Sequence, residues 1–108
     1  MIKIDIKTLS VNKCWQGRRF KTKIYKNYEE ELLWILPKMK IPKGKLKLKI
    51  EVGFKNKLSD IDNILKPFID ILQKKYGFND RDIYKIEIEK KIVKKEYIKF
   101  KFYENRAS

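Results

Sequence analysis

The stretch Leu46-Lys47-Leu48-Lys49-Ile50-Glu51-Val52-Gly53-Phe54 alternates apolar residues with charged or small ones. A period of two puts one face of a strand into a core and the other into water. Beyond it the period changes. From Asp62 to Tyr76, residues Ile64, Leu65, Phe68 and Leu72 recur at helical spacing, with Ile61 extending that face and Ile69 and Ile71 at its edges. Asp62, Lys66, Asp70 and Gln73 fall on a neighbouring polar stripe, and Asn63 lies just beyond it. Gly77 follows as a natural C-cap. Pro67 lacks an N–H donor and is tolerated best near a helix start, which supports a start near Asp62.

Upstream, Ile2, Ile4 and Ile6 alternate with Lys3, Asp5 and Lys7, again a strand with one apolar face. Ser10 to Arg19 reads as a polar loop carrying Trp15 and Gly17. Tyr25 to Leu36 reads as a helix through Tyr28, Leu32 and Ile35, with Glu29, Glu30 and Glu31 favouring its first turns. Pro37 stops it, and Pro42 and Gly44 hold the next turn. Downstream, Tyr84, Ile86 and Ile88 form one alternating strand and Ile98, Phe100 and Phe102 another. A lysine-rich turn around Lys94 and Lys95 is expected to join them as a hairpin. The order is therefore β-α-β-α-β-β. The expected fold is α/β in the α+β sense: one domain over 1–108, with a single mixed sheet and two helices on one face. The tail after Tyr103 is expected to fray.

Composition narrows the chemistry. The chain has 108 residues, 28 Lys and Arg against 14 Asp and Glu, and a formal net charge of +14. That length fits one compact domain. A domain so basic calls for a polyanion, and nucleic acid leads. The chain has no histidine, which excludes imidazole bases and His-ligated zinc. Cys14 is the only cysteine, so neither an internal disulfide nor a Cys-rich zinc site is possible. This fits a reduced cytoplasmic setting. No apolar run reaches the roughly 18 residues of a membrane span. The start alternates and carries Asp5, unlike a signal peptide. Carboxylates and lysines remain as the groups able to run chemistry.

Asp60 and Asp62 stand two apart where the long strand meets the second helix. In extended backbone that spacing turns both side chains to one face, and such a pair repels unless a cation sits between. Carboxylate oxygens suit Mg²⁺ or Mn²⁺. Asp80 follows the helix, and would reach the pair if the next strand lies beside the long one. The same residues also have plain structural uses. Ser59 could cap the helix, Asp62 and Asp70 could pair with Lys66 at i,i+4, and Asp80 and Asp82 could be turn residues.

The full string Asp60-Ile-Asp62-Asn63-Ile-Leu-Lys66-Pro-Phe-Ile-Asp70-Ile-Leu72 resembles the D-x-D-N-x-x-K-x-x-x-D-x-L motif of RusA-type Holliday-junction resolvases. Gly77-Phe-Asn79-Asp80-Arg-Asp-Ile83 is similar to that family's Gly and paired-acid segment, and Ser10-Val-Asn12-Lys13-Cys-Trp15 to its S-x-N-x-x-W loop. The likeness spans roughly Met1 to Phe102. It implies a homodimeric, Mg²⁺- or Mn²⁺-dependent endonuclease that cuts four-way DNA junctions in recombination and repair. It also implies Asp60, Asp62 and Asp80 as catalytic metal ligands and Lys66 as the essential lysine. Where the family has two adjacent acids this chain has Asn79-Asp80, so Asn79 offers a neutral oxygen and Asp82 is an alternative ligand. Asn12, Lys13, Trp15, Arg18, Arg19 and Asn63 are the candidate DNA contacts. Trp15 could wedge at a junction or pack on the helix. A cytoplasmic, nucleoid-associated place and a prophage origin fit the family. Two competing functions are a non-catalytic nucleic-acid-binding module and an inactive phage accessory protein.

Overall fold

The computed structural model describes residues 1–16 and 20–105. The alternating stretch becomes β4 (Leu46–Phe54), and all five of its apolar residues are buried. It is the hub of the sheet. β5 (Ile83–Ile92) pairs with it in parallel, and β6 (Tyr97–Glu104) pairs antiparallel on its other side. β1 (Ile2–Ile4) adds to β6, giving the order β1-β6-β4-β5. A strand hydrogen-bonded on both edges and buried on one face has its register doubly fixed.

The expected hairpin is therefore corrected. β5 and β6 follow each other in sequence but flank β4 on opposite sides. The connection passes the end of β4, where the Val93 N–H donates to the Phe54 carbonyl at 2.8 Å. Alternation marks each segment as a one-faced strand but carries no information about its neighbour.

The two helices cover the apolar face. α1 (Lys23–Ile35) buries Tyr25, Tyr28 and Leu32; α2 (Asp62–Tyr76) buries Ile64, Pro67, Phe68, Ile71 and Leu72. Phe68 meets Phe100 edge-on at 5.6 Å, in the middle of the layer. Each fully buried side chain of this size contributes about 1.5–3 kcal/mol. α1 starts earlier than its apolar spacing suggests, because the Thr22 side chain accepts the Tyr25 N–H at 3.2 Å and caps it. Glu29, Glu30 and Glu31 consequently lie in the middle of the helix, not in its first turns. α2 ends as expected at Gly77, whose φ of 73° is the left-handed conformation that glycine adopts without strain.

The polar loop is more ordered than alternation could reveal. A 3-10 turn (Val11–Lys13) leads into a small ribbon of β2 (Trp15–Gln16) and β3 (Phe20–Lys21). Arg18 and Arg19 lie outside the described residues. The fraying expected after Tyr103 is not seen in Glu104 or Asn105: β6 runs to Glu104, and the Asn105 N–H donates to the Lys45 carbonyl at 2.9 Å; residues 106–108 lie outside the described residues.

Candidate active site

The D-x-D pair sits at the entrance to α2, and the backbone there decides where its carboxylates go. Ile61 has φ −70° and ψ −33°, a helical conformation. The extended Asp60-Ile61-Asp62 segment expected from the spacing is therefore not formed. Each helical residue turns the chain by about 100°, so the two side chains diverge instead of sharing a face. Ser59 is not the cap either: α2 has no side-chain cap, and the Ser59 N–H bonds the Asn56 carbonyl at 3.2 Å.

Asp62 opens onto a cleft of about 510 Å³ between α2 and the start of β5. Lys66, Asp70, Asp80 and Arg81 share its walls, over an apolar floor of Leu65, Ile69, Ile83 and Ile86. Parallel pairing of β5 with β4 brings Asp80 to this cleft, because it returns the chain after α2 to the end where β4 begins, with Ile83 beside Leu46, so that the turn before β5 lies against the later turns of α2. Asp60 opens instead onto a groove of about 610 Å³ beside α1, with Ser10, Lys13 and Asn63. There its Oδ2 accepts from the Asn63 side-chain amide at 3.4 Å.

One side chain ties the cleft's two walls together. Gln73 Nε2 donates to Asp70 at 3.4 Å, and Gln73 Oε1 accepts the Asp80 backbone N–H at 2.8 Å. Asp80 lies in a short 3-10 turn (Asp80–Asp82) whose first N–H is thereby fixed to α2. Asn79 caps that turn by accepting the Arg81 N–H at 3.1 Å, so its side-chain oxygen is already engaged. Asp80 lines the cleft and Asp82 does not. Lys66 pairs with Asp70 at 3.5 Å, yet its side chain is 70% exposed. A pair so open to water is weak, and its ammonium can leave for a stronger anion.

The remaining sequence candidates are distributed around this region. Asn12 and Lys13 are exposed in the first 3-10 turn, and the Asn12 N–H bonds Ser10 Oγ at 3.3 Å. Trp15 packs on α1, its ring meeting Tyr25 edge-on at 5.9 Å, while 43% of the residue stays exposed. Asp70 and Gln73 were legible only as members of a polar stripe. That stripe is the α2 wall of the cleft. The charge of Asp70 is felt beyond the cleft. Burial first, and then Asp70, push the Cys14 thiol up and the Tyr25 phenol to about 12. Among the described residues, no group of three or more His, Cys, Asp or Glu side chains gathers closely enough to hold an ion.

The family model for endodeoxyribonuclease RusA matches residues 8–103. The chain belongs to the RusA endodeoxyribonuclease family. A search of curated proteins gave no match. The RusA match takes in the first loop, α1, the D-x-D segment, Lys66 and Asp80. RusA proteins are metal-dependent endonucleases that resolve Holliday junctions, so the cleft lies in an enzyme of DNA recombination. Among the described residues, no helix is long and apolar enough to cross a membrane.

Proposed function

We propose that this chain is an Mg²⁺-dependent endonuclease that resolves four-way DNA junctions by paired, symmetric phosphodiester cuts. The observation that supports it most is that Asp62, Asp80 and Lys66 line one cleft of a chain with net charge +14. Lysines elsewhere attract the phosphates, while the cleft concentrates carboxylates where a single phosphate would enter.

The donor set fits a hard cation. The cleft's ligating groups are carboxylate oxygens, without imidazole or thiol. Mg²⁺ commonly takes one or two protein carboxylates and completes its octahedron with water and substrate phosphate. Asp62 and Asp80 would hold it, and Mn²⁺ suits the same donors. Once bound, the metal supplies an activated water and offsets charge on the phosphoryl and leaving oxygens. Asp60 belongs to the catalytic set on the motif alone, since its carboxylate faces the neighbouring groove. Lys66 exchanges Asp70 for the scissile phosphate and neutralises it. Gln73 keeps Asp80 in place. Asn12, Lys13, Trp15, Arg18, Arg19 and Asn63 contact DNA around the cut. Two cuts require two cleavage centres, which a two-fold homodimer supplies. Such an enzyme works at the nucleoid, in the cytoplasm.

The test is a gel assay of the purified protein on a synthetic four-way junction and a linear duplex, with Mg²⁺, Mn²⁺ or chelator. Paired nicks in the junction, dependent on metal, are expected. Binding without cleavage in either metal would replace this proposal with a non-catalytic module.

A further inference from the structure

The helices cover only one face of the sheet, and the other carries a second charged surface. Along β6, Tyr97, Lys99, Lys101 and Tyr103 alternate with the buried Ile98, Phe100 and Phe102. Register places Lys101 beside Lys49 of β4 and Lys99 beside Lys3 of β1. Like charges directly opposite one another destabilise a sheet. Each pair has a glutamate on only one side, Glu87 beside Lys49 and Glu51 beside Lys99, so the repulsion between the paired lysines is only partly offset.

Three carboxylates on this face, Glu51, Glu87 and the neighbouring Glu89, are outnumbered by its lysines on β1, β4, β5 and β6 and do not neutralise it. Glu51 is shared between Lys91 at 3.1 Å and Lys99 at 3.4 Å, and Glu87 between Lys47 at 3.2 Å and Lys85 at 3.4 Å. Lys49 and Lys101 have no ion-pair partner among the described residues. Two tyrosines organise the excess. Lys3 and Lys99 lie over the Tyr97 ring at 4.9 and 5.3 Å; Lys101 and Lys47 lie over the Tyr103 ring at 4.9 and 5.6 Å. A ring holds an ammonium in place without cancelling its charge. The lysines are therefore ordered in advance on a flat surface, which lowers the cost of engaging a polyanion. With strands about 4.8 Å apart, the four-stranded face is roughly 15 Å across, and β4 is about 30 Å long. That length faces several successive phosphates of a duplex.

We propose that this helix-free face binds the phosphate backbone of a second DNA segment, distinct from the strand in the acidic cleft; this rests on the cleft being the place of cleavage. The cleft lies on the helix-covered side, so the sheet itself separates the two. A branched substrate supplies two such segments to one protomer, and a linear duplex does not.

The test compares two neutralised pairs in the full chain. K49Q/K101Q alters the face; K38Q/K40Q removes the same charge from the exposed segment after α1. Binding to a four-way junction and to a linear duplex is measured in chelator over a range of salt, so cleavage plays no part. K49Q/K101Q is expected to weaken junction binding about tenfold, with its salt slope reduced by about 0.9 for each phosphate left without a lysine. Duplex binding should change no more than with K38Q/K40Q. Equal weakening by both pairs, or equal weakening on both DNAs, overturns the proposal and leaves only net charge. Wild-type binding no tighter to the junction than to the duplex also overturns it. Failure of metal to produce cuts, by contrast, would sink the nuclease proposal and leave this comparison standing.

Discussion

The side-chain oxygen of Gln73 accepts the backbone N–H of Asp80 at 2.8 Å, joining the last turns of α2 to the turn that brings Asp80 to the cleft. The same amide donates to Asp70 at 3.4 Å, so its orientation is set by a charge. Gln73→Leu removes both bonds and keeps the bulk. One such hydrogen bond contributes about 0.5–1.5 kcal/mol. Cleavage should fall about tenfold and need more Mg²⁺ for half-maximal rate, while junction binding in chelator stays unchanged. An unaltered Mg²⁺ dependence would reduce Gln73 to a structural tie.

Asp62→Asn and Asp60→Asn separate the two carboxylates that the helical backbone at Ile61 turns apart. Asp62→Asn should lower cleavage roughly a hundredfold or more and leave junction binding largely intact. If Asp60 also holds metal, Asp60→Asn matches it. If Asp60 serves only its bond to Asn63, the loss stays within about tenfold. Single-turnover cleavage, with binding measured in parallel, decides between them.

Gly53 lies under an aromatic ring. A Cβ placed there would stand 2.5 Å from Tyr97 Cε1 and 2.8 Å from Val93 Cγ2. Gly53→Ala must push the ring off β4 and with it the hydrogen bond from Tyr97 to Glu51 at 2.8 Å. Overpacking of this kind costs about 1–3 kcal/mol. Thermal unfolding should show Tm lowered by roughly 4–8 °C for each kcal/mol. An unchanged Tm would mean the ring yields freely.

Glu29 is a clamp with a pH signature. Its carboxylate holds Lys74 of α2 at 2.7 Å and Lys21 of β3 at 3.0 Å. Burial alone would raise its pKa, but the hydrogen bonds from the two lysines together hold it below the usual carboxylate value. A pKa lowered by folding gives stability that is present above the unfolded-state value and is lost as pH falls through the folded one. Glu29→Gln should destabilise the protein at neutral pH and flatten its loss of stability under acid. Parallel Tm curves for the two proteins from neutral to acid pH would contradict this.

Much of the molecule follows from local pattern. The alternation of Leu46 to Phe54 is enough for a one-faced strand. The spacing of Ile64, Phe68 and Leu72 is enough for a helix, and Gly77 is enough to end it, because each depends on backbone period or on one residue's conformational freedom. The polar stripe Asp62, Lys66, Asp70 and Gln73 follows from the same period. Tertiary structure decided the partners. Alternation in Tyr84 to Ile88 fits either edge of any strand, and only packing put β5 parallel to β4 and moved β6 to the far side. That choice carried Asp80 to the α2 stripe and made a cleft of it. The D-x-D spacing likewise holds two geometries, and the fold took the helical one at Ile61, sending Asp60 into the next groove. Sequence determines which face each residue occupies on its own element; which elements meet is settled by burial summed over the whole chain.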